Sequence, residues 1–181
     1  MTAEANRSRA YATALYAVAN AEGQLSSVGD ELFAIARAVD GNDQLRDALG
    51  DPHLPAERRQ QIIEDLLGSR ASDVTIGLAS MVVAAGRGRE LPAIVDALLE
   101  LSATQEGRQV AEIRSAVDLT EDQRSRLAAA LEEATGQDVD VRVVVDPTVV
   151  GGLVARVGDQ VIDGSVRHRL AQLRESLSAR S

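Results

Sequence analysis

The feature that most constrains this chain is a change of hydrophobic period at Gly107. Before it, apolar residues recur every three to four positions, the spacing of one face of a helix. After it, Val139, Val141, Val143 and Val145 alternate with Asp140, Arg142 and Val144, the period of two that marks a half-buried strand. A single layer of one element type cannot satisfy both patterns. The sequence therefore predicts an α+β protein: an all-α helical bundle of about six helices over residues 1–106, then a small α+β domain over residues 107–181.

Within the first half, Tyr11, Ala14, Leu15, Val18 and Ala21 make a stripe in the first predicted helix. Leu25, Val28, Leu32, Ile35, Ala36 and Val39 make a second, stopped by Gly41. Leu45 and Leu49 mark a short third helix, broken by Gly50-Asp51-Pro52. Pro55 opens a fourth, with Ile62, Ile63, Leu66 and Leu67 inside it and Gly68 at its end. Ser72 or Asp73 caps a fifth that holds Ile76, Leu78, Met81, Val82 and Ala85, with Gly86 after it. The sixth starts near Glu90 and carries Leu91, Ile94, Val95, Leu98, Leu99 and Leu101. Short helices joined by short loops predict a compact bundle.

In the second half Val110–Val117 can be extended. Thr120 and Gln123 have the spacing of a capping box ahead of Leu127 and Leu131, and Gly136 ends that helix. Leu153–Val157 and Gln160–Ile162 flank Gly158-Asp159 as a hairpin. Ser165 caps a last helix with the narrow stripe Val166, Leu170, Leu173 and Leu177.

Chemistry is limited by what the chain lacks. All 19 basic residues are arginine, so P-loop and Schiff-base lysines are excluded; the absence of cysteine excludes thiol nucleophiles, disulfides and thiolate-bound zinc. The two histidines, His53 and His168, lie far apart, and the aromatic residues are only Tyr11, Tyr16 and Phe33. A net charge of −9 is unsuited to nucleic acid and to anionic lipid. No apolar run approaches the roughly 20 residues of a membrane span, and the start MTAEANRSRA has no signal-peptide pattern. The expectation is a soluble cytosolic protein, or one held at a membrane through a protein partner, with no cofactor and no metal.

Four stretches could carry a site. GGLVARVGDQVIDG is glycine-rich but matches neither phosphate-loop motif, and glycines at bends and a hairpin tip explain it better. The Ser165–Arg169 helix start, with Arg167, His168 and Arg169, could hold a phosphate or nucleotide, which would make the protein an enzyme of that class; pairing of those arginines with carboxylates is the plainer reading. Asp138 and Asp140 share one strand face beside Arg142, too few oxygens for a hard cation. Arg87-Gly88-Arg89 reads either as a polar interhelical loop or as a contact for an acidic partner. The first helix adds Ala10, Ala12, Ala14, Ala17, Ala19 and Ala21 around its circumference, which permits close helix approach on more than one side.

Residues 145–173, VDPTVVGGLVARVGDQVIDGSVRHRLAQL, together with RAYATALY at 9–16 and AAGRGREL at 84–91, resemble the delta subunit of the bacterial F-type ATP synthase, a family similar to the mitochondrial oligomycin-sensitivity-conferring protein. The resemblance covers essentially the whole chain. It implies a non-catalytic stator component, present as a single copy in a hetero-oligomer at the cytoplasmic face of the bacterial plasma membrane. In that family the helical bundle receives N-terminal helices of the alpha subunits and the C-terminal domain joins subunit b of the peripheral stalk. Neither nucleic-acid binding nor direct membrane insertion is implied. The family's groove lies between the first and fifth helices, where Tyr11, Ala14, Leu15, Val18, Leu78, Met81 and Val82 match; Leu170, Leu173 and Leu177 are the expected contacts with subunit b.

Overall fold

Glycines and capping side chains divide the first half into six helices. In this computed structural model, which describes residues 3–158 and 160–163, they are α1 (Ala3–Ala21), α2 (Leu25–Asp40), α3 (Asp43–Gly50), α4 (Ala56–Leu67), α5 (Asp73–Ala84) and α6 (Leu91–Gln105). Short 3-10 turns, Gly68–Arg70 and Gly88–Glu90, precede α5 and α6. Pro55 stands as the cap of α4 just before its first turn, and Asn42 caps α3 by accepting the Leu45 N–H at 3.1 Å. The chain divides into two compact units, Met1–Ser102 and Ala103–Ser181, so the division falls within the last turn of α6.

The first unit is held by aliphatic packing. Val28, Leu32, Ile35, Ala36 and Val39 of α2 are buried as their spacing predicts, as are Leu91, Ile94, Val95, Leu98 and Leu99 of α6. α1 departs from the expected stripe. Its core face is Ser8, Ala12, Leu15 and Ala19, while Ala14 and Ala21 are exposed, Val18 is 43% exposed and Tyr11 is half-buried. That face carries one large side chain, Leu15, among small ones, and the larger Tyr11 and Val18 lie off it. On α4, Leu66 likewise turns out to be exposed while Ile63 and Leu67 are buried.

The second unit comprises β1 (Gln109–Ser115), α7 (Glu121–Thr135), β2 (Val139–Val145), β3 (Leu153–Val157) and β4 (Gln160–Asp163). They form a four-stranded sheet in the order β2-β1-β3-β4. α7 is the crossover that lets β2 pair parallel to β1, and β3 and β4 add antiparallel neighbours. Both halves of the Thr120/Gln123 capping box are formed, and Gly136 ends α7. The core lies between α7 and one sheet face: Ala111 and Ile113 of β1, Val139 of β2, Ala155 and Val157 of β3, and Leu131. β2 is less regular in burial than its alternation predicts. Val139 is buried, Val141 and Val143 are half-buried and pack against the core, and Val145, at the end of this edge strand, is exposed.

Candidate partner-docking surface

The residues matched on α1 and α5 fall into two sets. Leu15, Leu78 and Val82 are buried. Ala14, Val18 and Met81 are exposed, and Tyr11 lies between these extremes. α1 and α5 pack against one another, and both present apolar faces outward. On α1 the solvent side carries Ala10, Ala14, Ala17, Val18 and Ala21. On α5, Val74, Gly77, Met81 and Ala84 share one face at spacings of three and four.

α5 is apolar on nearly every side. Its sequence, DVTIGLASMVVA, holds only Asp73, Thr75 and Ser80 as polar side chains, and two of those, Thr75 and Ser80, are buried. A helix apolar all round is normally enclosed by its neighbours. Here Met81 is 44% exposed, and a Cβ at Gly77 would meet nothing within 4 Å. Of the three large hydrophobic residues exposed in the described part of the first unit, Val18, Leu66 and Met81, two belong to this helix pair.

The surface is held in place at the ends of the two helices. The Ser72 oxygen accepts the Thr75 N–H at 3.3 Å and so caps α5. Ser72 in turn donates from its N–H and its hydroxyl to Glu31 of α2, at 3.0 and 2.9 Å. Burial alone would push the Glu31 carboxyl up; hydrogen bonds from Thr75 and Ser72 outweigh it and leave the pKa below its ordinary value. At their other ends α1 and α5 close in the same way. Gly23 and Gly86 take left-handed φ of 66° and 75°, and the next residues, Gln24 and Arg87, donate back to the Ala19 and Val82 carbonyls at 3.0 and 3.1 Å.

The Arg87-Gly88-Arg89 link serves the chain's own packing. Arg87 donates to Glu90 at 2.7 Å and Arg89 to Asp47 at 2.8 Å. The Glu90 hydrogen bond and charge raise the Arg87 pKa, with a smaller contribution from the neighbouring Tyr11. Gly88 is buried, and a Cβ there would fall 2.3 Å from the Leu49 carbonyl oxygen. Sequence reasoning missed this role, because the close approach is to a backbone carbonyl from another helix. Arg59 is a second such residue: it is buried and donates to the Asp51 carbonyl at 2.8 Å, where α3 ends and its dipole favours a cation. His53 is exposed, and its backbone N–H donates to Asp51.

In the second unit the glycine-rich stretch forms bends, with Gly151 and Gly152 before β3 and Gly158 at the β3–β4 turn. Asp140 pairs with Arg142 at 2.8 Å, and no group of three potential metal-ligating side chains occurs among the described residues. Val117, Val145 and Val150 are 67, 52 and 54% exposed. Ser115 pairs with Val145 in the register, so Val117 and Val145 follow the same end of the sheet, and Val150 lies in the connection leaving it. The expected contacts Leu170, Leu173 and Leu177, and the Ser165–Arg169 helix start, lie outside the described residues. No described helix is long and apolar enough to cross a membrane.

Among the described residues, then, the chain consists of an α-helical unit, in which α1 and α5 leave Val18 and Met81 exposed, and a unit built on a small mixed sheet. A model of the ATP synthase delta (OSCP) subunit matches residues 8–177, and the chain belongs to that family. It is 44% identical over 164 residues to the ATP synthase subunit delta of Nocardia farcinica, covering 91% of this chain and 60% of that protein. It is 40% identical over 166 residues to the one from Acidothermus cellulolyticus, covering 92% and 61%. The chain thus spans about three fifths of the length of these curated relatives. A chain of the Toxoplasma gondii mitochondrial ATP synthase hexamer has the same fold, with a TM-score of 0.55, 24% identity and 98% of both chains covered.

Proposed function

We propose that the chain is a non-catalytic stator component of the F-type ATP synthase, which ties the catalytic head to the peripheral stalk so that proton-driven rotation is coupled to ATP synthesis. The observation that carries this reading is α5, apolar nearly all round yet open to solvent beside the apolar flank of α1. The matching occupant is an amphipathic helix, here the N-terminal helix of an alpha subunit, docking by its own apolar face. Ala14, Val18 and Met81 are the direct contacts in this reading, Tyr11 lies at the edge, and Leu15, Leu78 and Val82 hold the two helices in register.

Residues 1–106 serve the head and residues 107–181 the stalk. Subunit b is the second partner, taken by the exposed end of the sheet at Val117, Val145 and Val150 and by Leu170, Leu173 and Leu177. A stator needs both attachments at once, because torque on one is resisted only through the other. The subunit occurs once per complex and lies at the cytoplasmic face of the plasma membrane through its partners. Native purification from the source cells through a tag on this chain tests the proposal. Recovery of alpha and b subunits with it is the expected result; recovery of neither contradicts it.

A further inference from the structure

The sulfur atoms of this chain are those of Met1 and Met81, and there is no cysteine to react ahead of them. Met81 sits on the outer face of α5, 44% exposed, beside the open space at Gly77. Its thioether is therefore reachable by a small oxidant and is also part of the apolar surface that a partner helix must cover. We propose that Met81 is an oxidative modification site whose conversion to the sulfoxide closes the α1/α5 surface to its partner. This inference rests on the docking role proposed for that surface.

The reaction requires a peroxide. The thioether sulfur attacks one peroxide oxygen and forms an S–O bond as the O–O bond breaks. Sulfur loses two electrons, the other oxygen leaves as hydroxide, and the proton on the sulfur-bound oxygen passes to it, giving the sulfoxide and water. The product is a polar, chiral group with a strong acceptor oxygen where the surface was apolar. Free subunit tolerates it, because at this exposed position water satisfies the new oxygen. Under a docked apolar helix the oxygen has no donor, and the unpaired polar group lowers affinity by about tenfold or more. Methionine sulfoxide reductases reverse the change, so the modification is repairable. A docked partner shields the sulfur.

The test uses the full chain and a synthetic peptide of the alpha-subunit N-terminal helix. Peptide affinity is measured by calorimetry before and after hydrogen peroxide, with peptide mapping by mass spectrometry to follow Met81. The expected results are a gain of one oxygen at Met81, slowed by bound peptide, an unchanged melting temperature and a fall in affinity of about tenfold that reductase treatment restores. For Met81→Leu, whatever its starting affinity, peroxide causes no change. Equal affinity of oxidised and untreated chain overturns the inference and leaves the docking role standing. So does an affinity loss in Met81→Leu equal to that of the parent chain. If untreated chain fails to bind the peptide, the docking role falls first and the inference with it.

Discussion

Glu31 of α2 accepts two hydrogen bonds from Ser72, the residue that caps α5. One carboxylate thereby ties the second helix of the bundle to the start of the helix that carries Met81. The folded-state pKa of Glu31 lies below its ordinary 4.5. A depressed carboxyl pKa stabilises the folded state above the ordinary value, and that contribution is lost as the pH falls through the folded-state pKa. Glu31→Gln should cost about 1 kcal/mol near neutral pH, after allowance for the solvent that reaches the group. Urea unfolding at a series of pH values checks this. The gap between parent and variant should shrink as the solution is acidified below the ordinary carboxylate range.

Two glycines in the same unit should respond in opposite senses to alanine. At Gly88 the new Cβ would meet the Leu49 carbonyl oxygen at 2.3 Å, a backbone atom that cannot swing aside. Gly88→Ala should cost about 2–3 kcal/mol. At Gly77 nothing lies within 4 Å, and the residue is inside a helix. Gly77→Ala should stabilise by up to about 1 kcal/mol. Melting temperatures of the two variants, measured side by side, separate these effects.

The capping box of α7 gives a matching probe of the second unit. Thr120 accepts the Gln123 N–H at 3.3 Å while Gln123 accepts the Thr120 N–H at 2.9 Å. Thr120→Ala should cost about 1 kcal/mol. Amide exchange should show the loss in α7 and in β1 and β2, which it packs on, and leave α2 and α5 unaffected.

The period change at Gly107, the capping box and the β3–β4 turn were all legible in the sequence because each depends on local chemistry: a repeat of two, a Thr/Gln spacing, a Gly-Asp tip. The face of α1 was not. Alanines occupy Ala10, Ala12, Ala14, Ala17, Ala19 and Ala21, so periodicity has no contrast from which to choose a core side. Packing decides it, by burying Ser8, Ala12 and Ala19 with Leu15. For the same reason the seven matched residues divide into exposed and buried ones only in the folded structure. The work of Gly88 and Arg59 was equally hidden, since both act on backbone carbonyls, Leu49 and Asp51, that no side-chain pattern announces.

Calorimetric titration of the full chain with the alpha-subunit N-terminal peptide, for the parent and for Ala14→Asp, tests the stator account most directly. Ala14 is exposed, so aspartate there leaves the fold intact, whereas beneath a docked apolar helix it would be a buried, unpaired charge. The account predicts binding by the parent chain and a loss of affinity of at least about tenfold in the variant, which stays cooperatively folded and melts only a few degrees lower, as aspartate in a helix interior costs. Equal affinity in a folded Ala14→Asp chain would contradict it.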